Sequence, residues 1–182
     1  MSGRTERGAK ERYVPRFLPT LANAEPLAHK GEGKAAFRRC RDKLPANKGR
    51  TTMDKEVIEV PVMSAKVRAL GLPCSTAVRA NGFVFISATP PVDMVTGEMV
   101  RGDIETQTEA SLKALKHCLE AAGSCLDKVV MVRIYAVNSG FYNAINRVYA
   151  KYFATNPPAR SFVPVASWPM EFDIEIECVA VA

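Results

Sequence analysis

No stretch of this 182-residue chain stays apolar for the ~20 positions that a membrane-spanning helix needs, so no helix is expected to cross a bilayer. Histidine is scarce. The two that occur, His29 and His117, are far apart in sequence and read as ordinary surface residues, and no ligand cluster with metal-site spacing accompanies them. The five cysteines (Cys40, Cys74, Cys118, Cys125 and Cys178) form no CxxC pair and are odd in number. With no secretory leader expected, that pattern argues against a disulfide framework and for reduced thiols inside a cell. The expectation is a soluble protein.

Basic charge is what the chain has in excess, and it is unevenly placed. Residues 1–55 hold 14 Lys/Arg against 6 Asp/Glu, whereas residues 56–182 hold 11 against 13. The basic character therefore belongs to an N-terminal extension, residues 1–52, ahead of a near-neutral domain, residues 53–182. The extension mixes Arg, Lys, Gly, Pro and Asn with little hydrophobic periodicity. Its one candidate helix, Ala35 to Leu44, is marginal on its own. Composition predicts no fixed structure there unless a partner holds it, and the charge suits a polyanion such as RNA, or a large complex. The opening MSGRTERGAKERYVPRF is Arg-rich like an organelle transit peptide, yet it contains Glu6, Glu11 and a single serine. A mitochondrial destination is expected, with the cytosol as the alternative.

From Lys55 the pattern becomes that of a folded domain. EVIEVPV reads as a strand. TAVRANGFVFISA reads as two strands joined at Ala80-Asn81-Gly82, because Asn-Gly supplies the positive φ values of a tight hairpin. A long helix is predicted from an N-cap at Asp103, through Leu112, Leu115 and Leu119 on one face, to a stop at Gly123. KVVMVRIYAV is a β-branched strand. A second helix starts at Ser139, buries Phe141, Ile145, Val148, Tyr149 and Tyr152, and cannot pass Pro157-Pro158. SFVPVASW and FDIEIECVAVA are the last strands. The order β-ββ-α-β-α-ββ gives an α+β fold in which two helices cover one face of a mixed sheet. Nothing is left to cover the other face, so self-association is the economical answer.

Four segments in this order, TGEMVRGDIETQTEASLKALKHCLEAAG, NRVYAKYF, PARSFVPVA and IEIECVAV, resemble the RidA (YjgF, L-PSP endoribonuclease-like) family. The resemblance implies a chorismate-mutase-like fold with a six-stranded sheet, a homotrimer whose sheets form a central barrel, and sites in clefts between subunits. It also implies hydrolysis of small, reactive 2-imino acids to 2-oxo acids and ammonia, with no metal and no organic cofactor.

An imino acid offers a carboxylate and an electrophilic C=N carbon. A guanidinium matches a carboxylate with two parallel hydrogen bonds, and Arg160 in PARS corresponds to the family's carboxylate anchor. A second carboxylate can orient water on the carbon and take its proton. Glu175 and Glu177 share one strand face, so periodicity leaves the choice open; the resemblance assigns the task to Glu175. Ser87 in FISA and Asn146 in NRVY match two further pocket positions, although each also reads as a turn or capping residue. The chain departs from the family pattern at Cys74, where a pocket tyrosine is expected, at Ala88-Thr89, and at Phe162, often a cysteine. Cys74 has no basic neighbour in sequence to lower its pKa and reads as a buried, inert thiol. The Phe162 carbonyl remains able to face the imine, while its ring adds bulk.

Three functions compete on these grounds. One is an imine or enamine hydrolase with an altered pocket. Another is a non-catalytic structural subunit of a larger, mitochondrial ribonucleoprotein-like assembly, docked through residues 1–52. An endoribonuclease ranks last, because no His pair or metal site supports that chemistry.

Overall fold

The Asn-Gly step sets the first hairpin. In the computed structural model, which describes residues 55–182, Asn81 and Gly82 take φ values of 48° and 77°. They join β2 (Ala77–Ala80) to β3 (Phe83–Thr89) in antiparallel register, Ala80 facing Phe83. The basic extension, with its candidate helix and the expected organelle signal, lies outside the described residues.

Asp103 caps α2 (Ile104–Ala121) by accepting a 2.8 Å hydrogen bond from the Thr106 amide, and Gly123 ends it at φ 75°. The next strand, β4 (Val129–Ala136), leads into a 3-10 turn over Ser139–Phe141 and then α3 (Tyr142–Tyr152). The turn replaces the first helical turn expected from Ser139, because Asn138 engages the Gly140 amide at 2.8 Å. Finally β5 (Ala159–Pro164) and β6 (Ile174–Val181) complete the sheet.

Two expectations need correction at the domain's start. The run EVIEVPV is a strand only over β1 (Glu56–Ile58) and is followed by a third helix, α1 (Met63–Ala69). Pro61 has no amide hydrogen for a ladder, and Val62 turns the chain at φ 68°. Ser64 secures the helix start: its Oγ accepts from the Val60 amide at 2.9 Å while its own amide donates to the Val60 carbonyl.

The six strands lie in the order β1-β2-β3-β6-β4-β5. Every pair is antiparallel except β4 with β5, which is parallel. Side chains alternate across the sheet. Val84, Ile86, Val132, Ile134, Ile174 and Ile176 turn to one face and form a single core with Leu112, Leu115 and Leu119 of α2 and Ile145 of α3. The opposite face carries Val57, Val78, Phe85, Val179 and Met131, successive partners across five strands. Within the described chain this row stays open: Val57 is 57% exposed and Phe85 45%.

Candidate active site

Arg160 sits on the edge strand β5, opposite Val132 of β4. Cross-strand partners share a face, so its side chain stands on the helix-covered side. There α3 presents Tyr142, Asn146 and Tyr149, which recur at i, i+4 and i+7 and line one stripe of the helix. The guanidinium carbon lies 4.6 Å from the centre of the Tyr149 ring and 5.8 Å from that of Tyr142. Both distances are within cation–π range. Phe162, two residues along the same strand, meets Tyr142 edge to face at 5.2 Å. No carboxylate pairs with Arg160 among the described residues. Rings hold it in place, and its donors remain available to an anion.

Tyr149 is nearly buried, and its hydroxyl makes no hydrogen bond among the described residues. Burial pushes its pKa up to about 12, against a small opposing pull from Arg160. The phenol is therefore neutral, as a cation platform in an apolar setting requires. Helical periodicity places Tyr149 in the core, where it lies, and gives Tyr142 no role. The i, i+7 spacing of the two tyrosines flanking Asn146 was the available signal.

Glu175 lies on the central strand β6 opposite Tyr135, with Glu177 two residues on opposite Arg133. The flanking Ile174 and Ile176 are fully buried in the core, so the two glutamates occupy the other, open face. Periodicity left them equivalent, and the structure separates them. Arg133 grips Glu177 in a short ion pair, while Glu175 accepts no hydrogen bond and pairs with no cation among the described residues. Burial, with a smaller contribution from the negative charge of Glu177, raises the Glu175 carboxyl from 4.5 to about 7. A carboxylate in that range exchanges protons readily near neutral pH.

Ser87 and Cys74 form a third group. The exposed Ser87 hydroxyl donates to the Ser75 carbonyl at 2.7 Å, and the Ser87 amide to the Thr76 carbonyl at 3.0 Å. Ser87 thereby ties the segment that carries Cys74 to β3. Cys74 itself is exposed, which corrects the expectation of a buried thiol: it follows a turn at Leu72 and Pro73 and never enters the core. Two strands, β6 and β4, separate β3 from β5, so Ser87 and Arg160 stand roughly 14 Å apart across the sheet.

Within one chain the candidate residues thus fall into separate places. Arg160, Asn146 and Phe162 gather between β5 and α3. Glu175 projects from the reverse face, and Ser87 with Cys74 lies beyond it. Among the described residues no group of three or more His, Cys, Asp or Glu could hold a metal ion, and no helix is long and apolar enough to cross a membrane. His117 is half-buried along α2, its Nε2 without a hydrogen-bond partner among the described residues, and lies apart from all three places.

A sequence model of the family described as Endoribonuclease L-PSP matches residues 66–182. A RutC family protein of Pyrococcus horikoshii is 43% identical over 108 residues, covering 59% of this chain and 86% of its own. Reactive Intermediate Deaminase A, chloroplastic, of Arabidopsis thaliana is 38% identical over 130 residues, 71% of this chain and 67% of its own. Among solved structures, E. coli TdcF with bound serine superposes with a TM-score of 0.57 at 31% identity, covering 60% of this chain and 88% of that one.

Proposed function

Because the chain belongs to the RidA (YjgF, L-PSP endoribonuclease-like) family, we propose that it hydrolyses small 2-imino acids, or their enamine tautomers, to 2-oxo acids and ammonia. The site is completed between copies of the chain. The observation that carries this reading is the Arg160 guanidinium, which aromatic rings hold and no acidic side chain among the described residues neutralises. Its fork suits one carboxylate. That the related TdcF holds serine supports an amino-acid-like carboxylate ligand.

The substrate carboxylate docks on Arg160, and Asn146, between the two tyrosines, offers an amide beside it. Water attacks the C=N carbon of the protonated imine while Glu175 takes one of its protons, giving a carbinolamine. Glu175 returns that proton to nitrogen, ammonia leaves with the C–N bond pair, and Glu175 takes the hydroxyl proton as the carbonyl forms. A group that accepts and then returns one proton works best with a pKa near the operating pH, as Glu175 has. Since Arg160 and Glu175 stand on opposite faces of one sheet, the base acting with a given arginine comes from a second copy.

The imine can be generated from an amino acid by an amino-acid oxidase and its decay followed with a trapping amine. The wild-type chain should accelerate the decay, whereas Arg160→Ala and Glu175→Gln should each abolish the acceleration. Arg160→Lys should stay poor, because a point charge cannot reproduce the fork. Refolding the two inactive variants together should restore on the order of a quarter of the activity, by random pairing of intact halves. An inactive wild type overturns the reaction, and a mixture without recovery overturns the shared site.

A further inference from the structure

The loop before β2 presents a small, exposed Cys74 where the resemblance calls for a ring, yet Arg160 does not lack rings. They come from another direction. Phe162 and Arg160 lie two residues apart on β5 and face the same way, about 6.6 Å apart along the strand. Tyr142, from the start of α3, reaches both: 5.8 Å to the guanidinium and 5.2 Å to the Phe162 ring at an interplanar angle of 85°. Tyr149 buries its ring beneath the arginine, but Tyr142 is 44% exposed. The edge-to-face pair therefore forms a wall beside the anion anchor, and part of the Tyr142 surface remains open to a ligand.

Resting on the reading of Arg160 as carboxylate anchor, we propose that Tyr142 and Phe162 are specificity-determining residues that select 2-imino acids with aromatic side chains. A carboxylate held on Arg160 places the substrate side chain within one ring's reach of this wall. A methyl group there touches little of it. A phenyl or indole group buries its face against Tyr142 and adds aromatic contact beyond the area covered.

The test compares kcat/KM for phenylalanine-derived and alanine-derived imines with the full-length protein. The wild type should prefer the aromatic imine by about ten-fold or more. Tyr142→Ala should bring that ratio down by about ten-fold, Phe162→Leu should lower it, and Tyr142→Phe should preserve it, because the ring matters and the hydroxyl does not. An activity-free measurement separates this proposal from the reaction it rests on: calorimetric binding of phenylpyruvate against pyruvate. Tighter phenylpyruvate binding that is lost in Tyr142→Ala supports the wall even if no imine is hydrolysed. Equal affinity for the two oxo acids, an unchanged ratio in Tyr142→Ala, or a ratio that rises when either ring is removed overturns it. In the last case the rings fill the pocket and do not line it.

Discussion

Glu175 and Glu177 differ by two positions and by a single ion pair. Arg133 pairs with Glu177, while Glu175 is left half-buried and unpaired beside it, with its pKa raised to about 7. Hydrolysis that needs the Glu175 carboxylate should fall roughly ten-fold per pH unit below that value. Glu177→Gln removes the repulsion and leaves Arg133 nearby, so the acidic limb should move to lower pH. A limb that stays in place would show that Glu175 is not the base. The same shift bears on stability. Because the folded pKa lies above the ordinary 4.5, ionisation opposes folding: the penalty is absent below that value, grows as pH rises through about 7, and is constant above. Denaturant midpoints should therefore show Glu175→Gln gaining on the wild type between pH 4 and pH 8.

At the scale of elements, α2 is bound to the sheet by polar contacts as well as by its leucines. Thr89 is fully buried at the irregularity in β3, where the register with β6 shifts between Ile86 and Thr89. Its hydroxyl donates to the Ile176 carbonyl at 2.8 Å, and the Ser111 hydroxyl of α2 donates back to the Thr89 carbonyl at 3.0 Å. Thr89→Val keeps the shape and leaves the Ile176 carbonyl without that donor, which should cost about 1–3 kcal/mol. The change should appear as a lower urea midpoint with an unchanged slope. Since Ile176 is the neighbour of Glu175, a slackened β6 should also weaken catalysis. The caps of α2 and the turn at Asn81-Gly82 were legible in sequence, because each depends on residues within four positions. The helix α1 was not: seven residues after a proline carry no periodic signal, and Val60 and Met63 become core residues only by packing against the rest of the domain.

For the whole molecule, the open sheet face is the dominant feature. A row of Val57, Val78, Phe85, Val179 and Met131 runs across five strands, and an apolar row of that breadth in water marks an interaction surface. Closing it against further copies would cover the apolar side chains and, on the function proposed above, would bring the base of one copy towards the anchor of another. Residues 53–182 alone should therefore sediment as a trimer at micromolar concentration, with Phe85→Glu shifting it towards monomer. A stable wild-type monomer would contradict both the closed face and the shared site.

The segments that chain chemistry marks within a few residues were readable from the sequence by itself: the hairpin, the α2 caps and the alternating strands, whereas Arg160 and Glu175 were singled out by the family resemblance. Local φ preferences and side-chain periodicity act over such distances. The tertiary structure decided which of two equivalent glutamates is left unpaired, that Arg160 and Glu175 face opposite sides of the sheet, and that Tyr142 and Tyr149 flank the arginine with Phe162 against Tyr142. Those outcomes depend on the parallel register of β4 with β5 and on the placing of β6 between β3 and β4. Pairings between strands distant in sequence are fixed by burial of the whole core, which no local pattern encodes.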